Sequence, residues 1–176
     1  MNIWKDINES RIKPDDFIAC IEIEQGSKNK YELDKETGLI ILDRVLYTST
    51  HYPMNYGFIP HTLSGDGDPL DVFVLCSQPI EKMSLVRCYP IGVVYMTDKA
   101  ETDEKIIAIP FGDPQYNEYK DVRELPQHIM DELRHFLSVY KELEHKVVRV
   151  LDIGTAEKAK VTIKDNIDEF NKTFKK

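Results

Sequence analysis

The stretch Asp66-Gly67-Asp68-Pro69-Leu70-Asp71-Val72-Phe73-Val74-Leu75 joins an acidic turn to an apolar strand. Pro69 cannot lie inside a helix and Gly67 relaxes the backbone, so residues 66–69 predict a turn and residues 70–75 a strand. The three carboxylates at this junction repel one another unless cations lie among them, and carboxylate oxygens suit hard cations such as Mg²⁺ or Mn²⁺. Taken alone, the pattern fits a solvated acidic turn equally well.

Strand patterns dominate the first two-thirds of the chain. Each is a short run that is rich in β-branched and aromatic residues, or that alternates apolar with polar residues, between turn residues. Residues 52–60 are dense in tyrosine and proline, which fits a rigid, partly buried connection. Alternatively, Tyr52 and Tyr56 offer their hydroxyls to a substrate or to metal-bound water. Many short strands indicate a small barrel or sandwich. We predict strands at residues 17–23, 30–34, 38–44, 70–76, 85–96, 105–109 and 146–151.

Two amphipathic helices are predicted in the last third of the chain. After Pro126, apolar side chains recur every three or four residues and so form one stripe: Ile129, Met130, Leu133, Phe136, Leu137, Tyr140 and Leu143. A second helix begins after Thr155, a suitable N-cap, and carries Ala156, Ala159, Ile163, Ile167, Phe170 and Phe174 on one face. The predicted fold class is therefore α+β, mainly β, with a strand-rich body closed by two helices.

Composition limits the class of protein. The 176 residues suffice for a sizeable core, and we expect one domain over residues 1–176. The net charge of −8 disfavours nucleic acids and anionic membranes as partners. No apolar run approaches about 18 residues and the N-terminus lacks an apolar signal region, so we expect a cytoplasmic protein. Cys20, Cys76 and Cys88 form no CxxC pair, which favours buried free thiols.

A second acidic group follows the long predicted strand at residues 85–96. It comprises Asp98, Glu101, Asp103 and Glu104, and Lys105 comes next. In isolation this group is typical of an exposed hairpin loop. Alternatively, Asp98 and Asp103 approach the acidic turn across the sheet, and the two groups together make a site for several metal ions.

Cationic side chains accompany these carboxylates. Lys30 and Glu32 are two residues apart on a predicted strand, so they project from the same face. Arg44 ends the next strand, and its planar guanidinium matches the oxygens of a phosphate group. Tyr140 and Lys141 lie late in the first helix, where the ammonium is at the edge of the apolar stripe.

Many carboxylates, several cations and paired tyrosines on a strand-rich body favour phosphoryl transfer to water with the help of several metal ions. Nothing in the chain matches a Walker loop or a Gly-x-Gly-x-x-Gly motif.

The acidic stretch resembles the DGDPxD signature of the family I soluble inorganic pyrophosphatases. Further matches occur in the family's order and at nearly its spacing, and together they cover about residues 15 to 150. They are Lys30-Tyr-Glu32, Asp43-Arg44, Tyr52-Pro-Met-Asn-Tyr56-Gly, His61-Thr-Leu-Ser, Met96-Thr-Asp98, Asp103-Glu-Lys105 and Tyr140-Lys141.

The resemblance implies an OB-like five-stranded barrel flanked by helices, Mg²⁺-dependent hydrolysis of pyrophosphate, and a cytoplasmic homohexamer of the bacterial type in which subunits meet at the helix bearing His135. Mn²⁺ or other divalent ions would substitute for Mg²⁺. By matched position, Asp68 would be the general base. The metal ligands would be Asp66, Asp71, Asp98, Asp103 and Glu32, with Glu22 orienting water. Phosphate oxygens would contact Lys30, Arg44, Tyr140 and Lys141, while Lys105, Tyr52 and Tyr56 would complete the pocket.

Two positions depart from the family pattern. Lys99 stands where many members carry a second acidic residue, and residues 24–29 form a shortened loop without the usual proline.

Two other classes of protein remain open on the residues. One is a metal-dependent hydrolase of another phosphoanhydride, such as a nucleotide, although nothing in the chain predicts a base pocket. The other is a Ca²⁺ or nucleic-acid binding module. The acidic stretch lacks the glycine and the final glutamate of an EF-hand, with Ser77 in the last position, and the acid excess disfavours nucleic acid.

Overall fold

The computed structural model describes residues 1–99 and 101–175 of the chain. The strands are β1 (Phe17–Ile23), β2 (Asn29–Leu33), β3 (Ile40–Val45), β4 (Asn55–Ile59), β5 (Leu70–Val74), β6 (Leu85–Asp98), β7 (Glu101–Pro110) and β8 (Val148–Thr155). The helices are α1 (Ile3–Asp6), α2 (Gln127–Val139) and α3 (Ala156–Phe174). None of these helices is long and apolar enough to cross a membrane.

Five strands close into a ring. The pairing order is β1, β4, β5, β7 and β6, and β6 pairs back with β1. All these pairings are antiparallel except β5 with β7, which is parallel. Beyond the ring, β8 pairs with β6, while β2 and β3 form a separate hairpin. The predicted mainly-β α+β class with a five-stranded barrel is confirmed.

Residues 52–60 are not the mere connection predicted from their tyrosines and prolines, because they contain β4. Pro53 and Pro60 flank this strand, so neither proline removes a donor from its ladder. Gly57 lies opposite Ile21 of β1, and a Cβ atom there would be 1.9 Å from the Cys20 carbonyl oxygen. The close approach of β4 to β1 therefore requires glycine.

The two long helices cover the ring as their apolar stripes predict. Met130, Leu133, Phe136 and Leu137 of α2 are buried in the larger core cluster, and Ala159 and Ile163 of α3 are buried in the second. The side chain of Thr155 accepts a hydrogen bond from the Lys158 N–H, which confirms the predicted N-cap. Cys20 and Cys88 are buried free thiols, but Cys76 is half-buried, so the expectation of three buried thiols is wrong for one.

The end of α2 differs from the prediction. The helix stops at Val139 with Tyr140 as its C-cap, and the chain tightens into a 3₁₀ turn at Glu142–Glu144. Leu143 leaves the apolar stripe and is exposed. No glycine or proline marks this ending, so the apolar spacing alone extends the helix too far.

Candidate functional site

A cavity of about 540 Å³ lies where the acidic turn, the β2–β3 hairpin, the β6–β7 pair and the end of α2 meet. All but one of the predicted site residues line it: Glu22, Lys30, Glu32, Tyr52, Tyr56, Asp66, Asp68, Asp71, Asp98, Asp103, Lys105, Tyr140 and Lys141. The exception is Arg44, which lies outside the lining. Asp34 and Lys35 also line the cavity and were not predicted.

The acidic turn is fixed through its own backbone. Gly67 has a φ of 84°, a left-handed conformation that favours glycine. The Asp68 N–H donates to Asp66 Oδ1 at 2.9 Å, and the Ser64 N–H donates to the Asp68 carbonyl at 2.8 Å. The predicted turn is confirmed, and it presents Asp66 and Asp68 at the mouth of the cavity while β5 carries Asp71 inward.

Lys105 lies at the centre of the carboxylates. Parallel pairing of β5 and β7 places it opposite Asp71, and its Nζ is 2.8 Å from Asp71 Oδ2 and 3.2 Å from Asp103 Oδ2. The same ammonium donates to the Tyr56 hydroxyl at 2.9 Å. Burial opposes the charge, but Asp71, Tyr56 and Asp103 outweigh it and hold the pKa of Lys105 well above its ordinary value. Lys105 therefore remains a buried cation.

The surroundings of two carboxylates in the cavity, Asp66 and Asp103, disfavour their ionisation. Burial raises the pKa of Asp66, and the nearby charges of Asp68, Asp71 and Asp103 raise it further. Burial also raises the pKa of Asp103, against the opposing effect of Lys105. These groups carry more negative charge than one ammonium balances, which is the electrostatic condition for binding further cations.

The second acidic group lies on strands and not in the loop that its composition suggests. Glu101, Asp103 and Glu104 belong to β7, and Asp98 ends β6 opposite Glu101. Asp98 forms an ion pair with Lys141, while its buried Oδ1 has no hydrogen-bond partner. Asp98 and Asp103 thus line the same cavity as the acidic turn, as the alternative interpretation expects.

The donor chemistry fits divalent metal ions. Hard carboxylate oxygens surround the cavity, and Asp98 Oδ1 is a buried oxygen left without a donor. Within residues 1–99 and 101–175, no three His, Cys, Asp or Glu side chains converge on one point as a single ion requires. The carboxylates point instead at the ammonium groups of Lys35, Lys105 and Lys141.

A β-bulge turns Glu22 into the cavity. In the pairing of β1 with β4, Ile21 faces Gly57 and Ile23 faces Tyr56, so Glu22 is the extra residue. All seven residues of β1 are buried, and Glu22 Oε2 accepts a hydrogen bond from the Leu33 N–H at 2.6 Å. Burial, followed by the charge of Asp71, raises the pKa of Glu22 to about 8. Despite the unusual loop at residues 24–29, Glu22 lies at the predicted site.

The tyrosines form the apolar wall. The rings of Tyr52 and Tyr56 are 5.4 Å apart, and they pack against Phe136 and Phe73 at 4.8 Å each. Burial holds the pKa of both hydroxyls well above the ordinary value, so both remain neutral hydrogen-bonding groups. Tyr140, at the C-cap of α2, stacks on Phe136 at 4.9 Å.

The β2–β3 hairpin carries the cationic edge. Lys30 Nζ is 3.5 Å from Glu32 and 3.4 Å from Asp43, which confirms that Lys30 and Glu32 share a face. Arg44 also pairs with Asp43, and its Nε is 2.8 Å from Oε1 of the buried Glu144. Glu144 was not predicted, and its only sequence signal is its closeness to Tyr140 and Lys141.

Lys99 lies outside the lining of the main cavity. It has a left-handed backbone, with a φ of 51°, and lines a second cavity with His145, Lys146 and Arg149. The residue at this departure from the family pattern therefore does not line the main cavity.

Comparisons with known proteins agree with this geometry. The family model described as inorganic pyrophosphatase matches residues 19–171. Soluble inorganic pyrophosphatase 2 of Chlamydomonas reinhardtii is 46% identical over 172 residues, covering 97% of this chain and 89% of that protein. Inorganic pyrophosphatase of Aquifex pyrophilus is 45% identical over 172 residues, covering 96% of this chain and 97% of that protein.

Solved structures give the same result. The inorganic pyrophosphatase of Thermus thermophilus superimposes with a TM-score of 0.93 at 33% identity, covering 97% of this chain and 99% of that one. The enzyme of Helicobacter pylori gives a TM-score of 0.88 at 40% identity, covering 91% of this chain and 96% of that one. The chain belongs to the family I soluble inorganic pyrophosphatases. It is accordingly a hydrolase of the inorganic diphosphatase class.

Proposed function

We propose that the chain hydrolyses inorganic pyrophosphate to two orthophosphates in the main cavity, with several Mg²⁺ ions bound and with Asp68 as the general base. The observation that carries the proposal is the meeting of the acidic turn and the β6–β7 carboxylates with Lys30, Lys105 and Lys141 around one cavity. Asp66, Asp71, Asp98, Asp103 and Glu32 would hold the metal ions. When bound, Mg²⁺ lowers the pKa of the attacking water and neutralises phosphate oxygens.

The residues of the chain have separate tasks in this reaction. Asp68 accepts the proton of the attacking water, whose acidity bound Mg²⁺ would raise. Lys30, Tyr140 and Lys141 bind phosphate oxygens. Arg44 lies outside the cavity lining but shares Asp43 with Lys30, and it is the fourth proposed phosphate contact. Lys105 holds Asp71 and donates to the Tyr56 hydroxyl, and Lys105 and Tyr56 stabilise the charge of the leaving phosphate. Glu22 orients water and Tyr52 shapes the wall.

The test is orthophosphate release from pyrophosphate, with ATP in parallel, in Mg²⁺ and after chelation. We expect release from pyrophosphate in Mg²⁺, none after chelation, and little from ATP. Asp68→Asn should lower kcat about 10²- to 10⁴-fold. The matched control is Asp15→Asn, an exposed aspartate outside the cavity. Equal rates for the two variants would refute the role of Asp68, and faster release from ATP would favour the nucleotide alternative.

The proposal includes the wider setting of the enzyme. We propose a single domain over residues 1–176 that works in the cytoplasm as a homohexamer, as the resemblance implies. Mn²⁺ should support a measurable rate in place of Mg²⁺ because both ions prefer oxygen ligands. Sedimentation of the purified protein as a monomer would contradict the hexamer.

A further inference from the structure

Lys35 lies at the tip of the β2–β3 hairpin and reaches across to the acidic turn, where its ammonium forms an ion pair with Asp68 Oδ1. The two residues are 33 positions apart in the chain. Lys35 takes no part in the reaction as proposed above. We propose that Lys35 is a positioning residue that orients the Asp68 carboxylate for proton transfer, an inference that rests on the proposed role of Asp68.

The backbone of Asp68 is fixed, but its side chain has one restraint. Hydrogen bonds to Ser64 and Asp66 hold the peptide groups of the turn. The terminal torsion of an aspartate is soft and roughly two-fold, so the carboxylate rotates unless a partner holds one oxygen. Lys35 holds Oδ1, and among residues 1–99 and 101–175 no side chain or backbone group forms a hydrogen bond to Oδ2. The ion pair therefore leaves one defined oxygen to receive a proton.

The hairpin tip is built to place Lys35. The Asp34 N–H donates to the Leu39 carbonyl and the Gly38 N–H donates to the Asp34 carbonyl, both at 2.8 Å. Gly38 has a φ of 75°, and a Cβ atom there would be 2.7 Å from the Met1 carbonyl oxygen. The tip is thus a tight turn that rests on the first residues of the chain.

Trp4 also contacts the Lys35 side chain. The Lys35 ammonium lies 5.4 Å from the centroid of the Trp4 ring, within the range of a cation–π contact. Trp4 is buried, and its Nε1 donates to the Thr62 carbonyl at 2.8 Å. The Thr62 hydroxyl in turn accepts a hydrogen bond from the Leu70 N–H at 2.9 Å. Trp4 therefore connects the hairpin tip to the start of β5 and fixes Lys35 relative to Asp68.

Because the ion pair between Lys35 and Asp68 is exposed, its loss should lower activity without lowering stability much. The side chains of Lys35 and Asp68 are 47% and 55% exposed, and an ion pair this exposed contributes little to stability. Lys164 and Asp168 on α3 form a comparable pair at 3.0 Å, with 64% and 59% exposure, away from the cavity. Lys164→Met is therefore a matched control for Lys35→Met.

The experiment measures kcat and KM for pyrophosphate in Mg²⁺. We expect Lys35→Met to lower kcat about tenfold and to change KM by less than about twofold, because a misoriented base slows the chemical step and leaves phosphate binding in place. Lys35→Arg should recover most of kcat, and Lys164→Met should match the wild type. Trp4 is the sole tryptophan, so an unchanged emission maximum in Lys35→Met checks that the tip remains docked.

A double variant shows whether Lys35 acts through Asp68. In an Asp68→Asn background, Lys35→Met should change kcat by less than about twofold, because the group that it orients is gone. A further tenfold loss there, or a raised KM in the single variant, would mean direct phosphate contact and would overturn the inference. If Asp68→Asn is impaired but Lys35→Met equals Lys164→Met, the inference alone fails. If Asp68→Asn is fully active, both the proposed role of Asp68 as the base and the inference about Lys35 fail.

Discussion

Glu22→Gln should stabilise the metal-free protein at pH 8 far more than at pH 5. Glu22 is buried in the bulge of β1, where burial and Asp71 raise its pKa from the ordinary value of 4.5 to about 8. Glutamine keeps a carbonyl oxygen for the Leu33 N–H and removes the titration. The two side chains have nearly the same volume, so the packing around them should be preserved.

The magnitude follows from proton linkage. Between pH 4.5 and pH 8 the folded state holds the Glu22 proton more tightly than the unfolded state does. The wild-type protein therefore loses stability as the pH rises through this window. With folded and unfolded pKa values of about 8 and 4.5, the loss between pH 5 and pH 8 is roughly 3 to 4 kcal/mol. The glutamine variant escapes this loss.

The assay is urea unfolding of both proteins in chelator at several pH values. The difference in free energy of unfolding, variant minus wild type, should grow by roughly 3 to 4 kcal/mol from pH 5 to pH 8. Glu118→Gln, which removes an exposed carboxylate outside the cavity, should retain the wild-type dependence on pH. A Glu22→Gln difference that stays constant with pH would refute a buried, protonated Glu22.

Three further predictions concern stability and reactivity. Lys105→Met should lower the free energy of unfolding in chelator by about 3 to 5 kcal/mol, because it leaves Asp71 and Asp103 without their buried cation. Mg²⁺ should restore part of this loss in urea unfolding. Equal stability of the variant and the wild type in chelator would contradict this. Gly57→Ala should lower the free energy of unfolding by about 3 kcal/mol, because the new Cβ atom would collide with the Cys20 carbonyl oxygen. Gly112→Ala, where the new Cβ atom meets nothing, should change it by less than about 0.5 kcal/mol. In the native protein a thiol reagent should modify the half-buried Cys76 first, since burial raises the pKa of Cys20 to about 12 and also raises the pKa of Cys88. Peptide mapping that finds Cys20 labelled first would be inconsistent with the fold.

The strands and the acidic turn can be predicted because neighbouring residues specify them. Gly67 and Pro69 specify the turn, and the apolar run after Pro69 specifies β5. β4 was missed because Pro53, Pro60 and the tyrosines between them resemble a loop, although the prolines lie outside the ladder. The end of α2 was misplaced because Tyr140 and Leu143 continue the helical spacing into a 3₁₀ turn.

The site was predicted mainly through its motifs, and what was missed depends on tertiary structure. The composition of β1 does not reveal that a bulge turns Glu22 inward, since bulges arise from pairing with β4. Lys35 lies outside the strand periodicity of β2, and Asp68 is distant from it in sequence. Arg44 forms an ion pair with Glu144, but that pairing requires the 3₁₀ turn after α2 to fold against β3.

The double pairing of β1 has a consequence for how fast the enzyme becomes active. β1 joins β6 through Cys20↔Leu85 and Phe17↔Cys88, pairs 65 and 71 positions apart in the chain. Closing such long loops costs entropy before any contact repays it, which slows folding. The cavity draws side chains from β1, β2, β4, β5, β6 and β7, so no partial set of these strands assembles it. A newly made chain should therefore become catalytically active in one late step, when β1 pairs with β6.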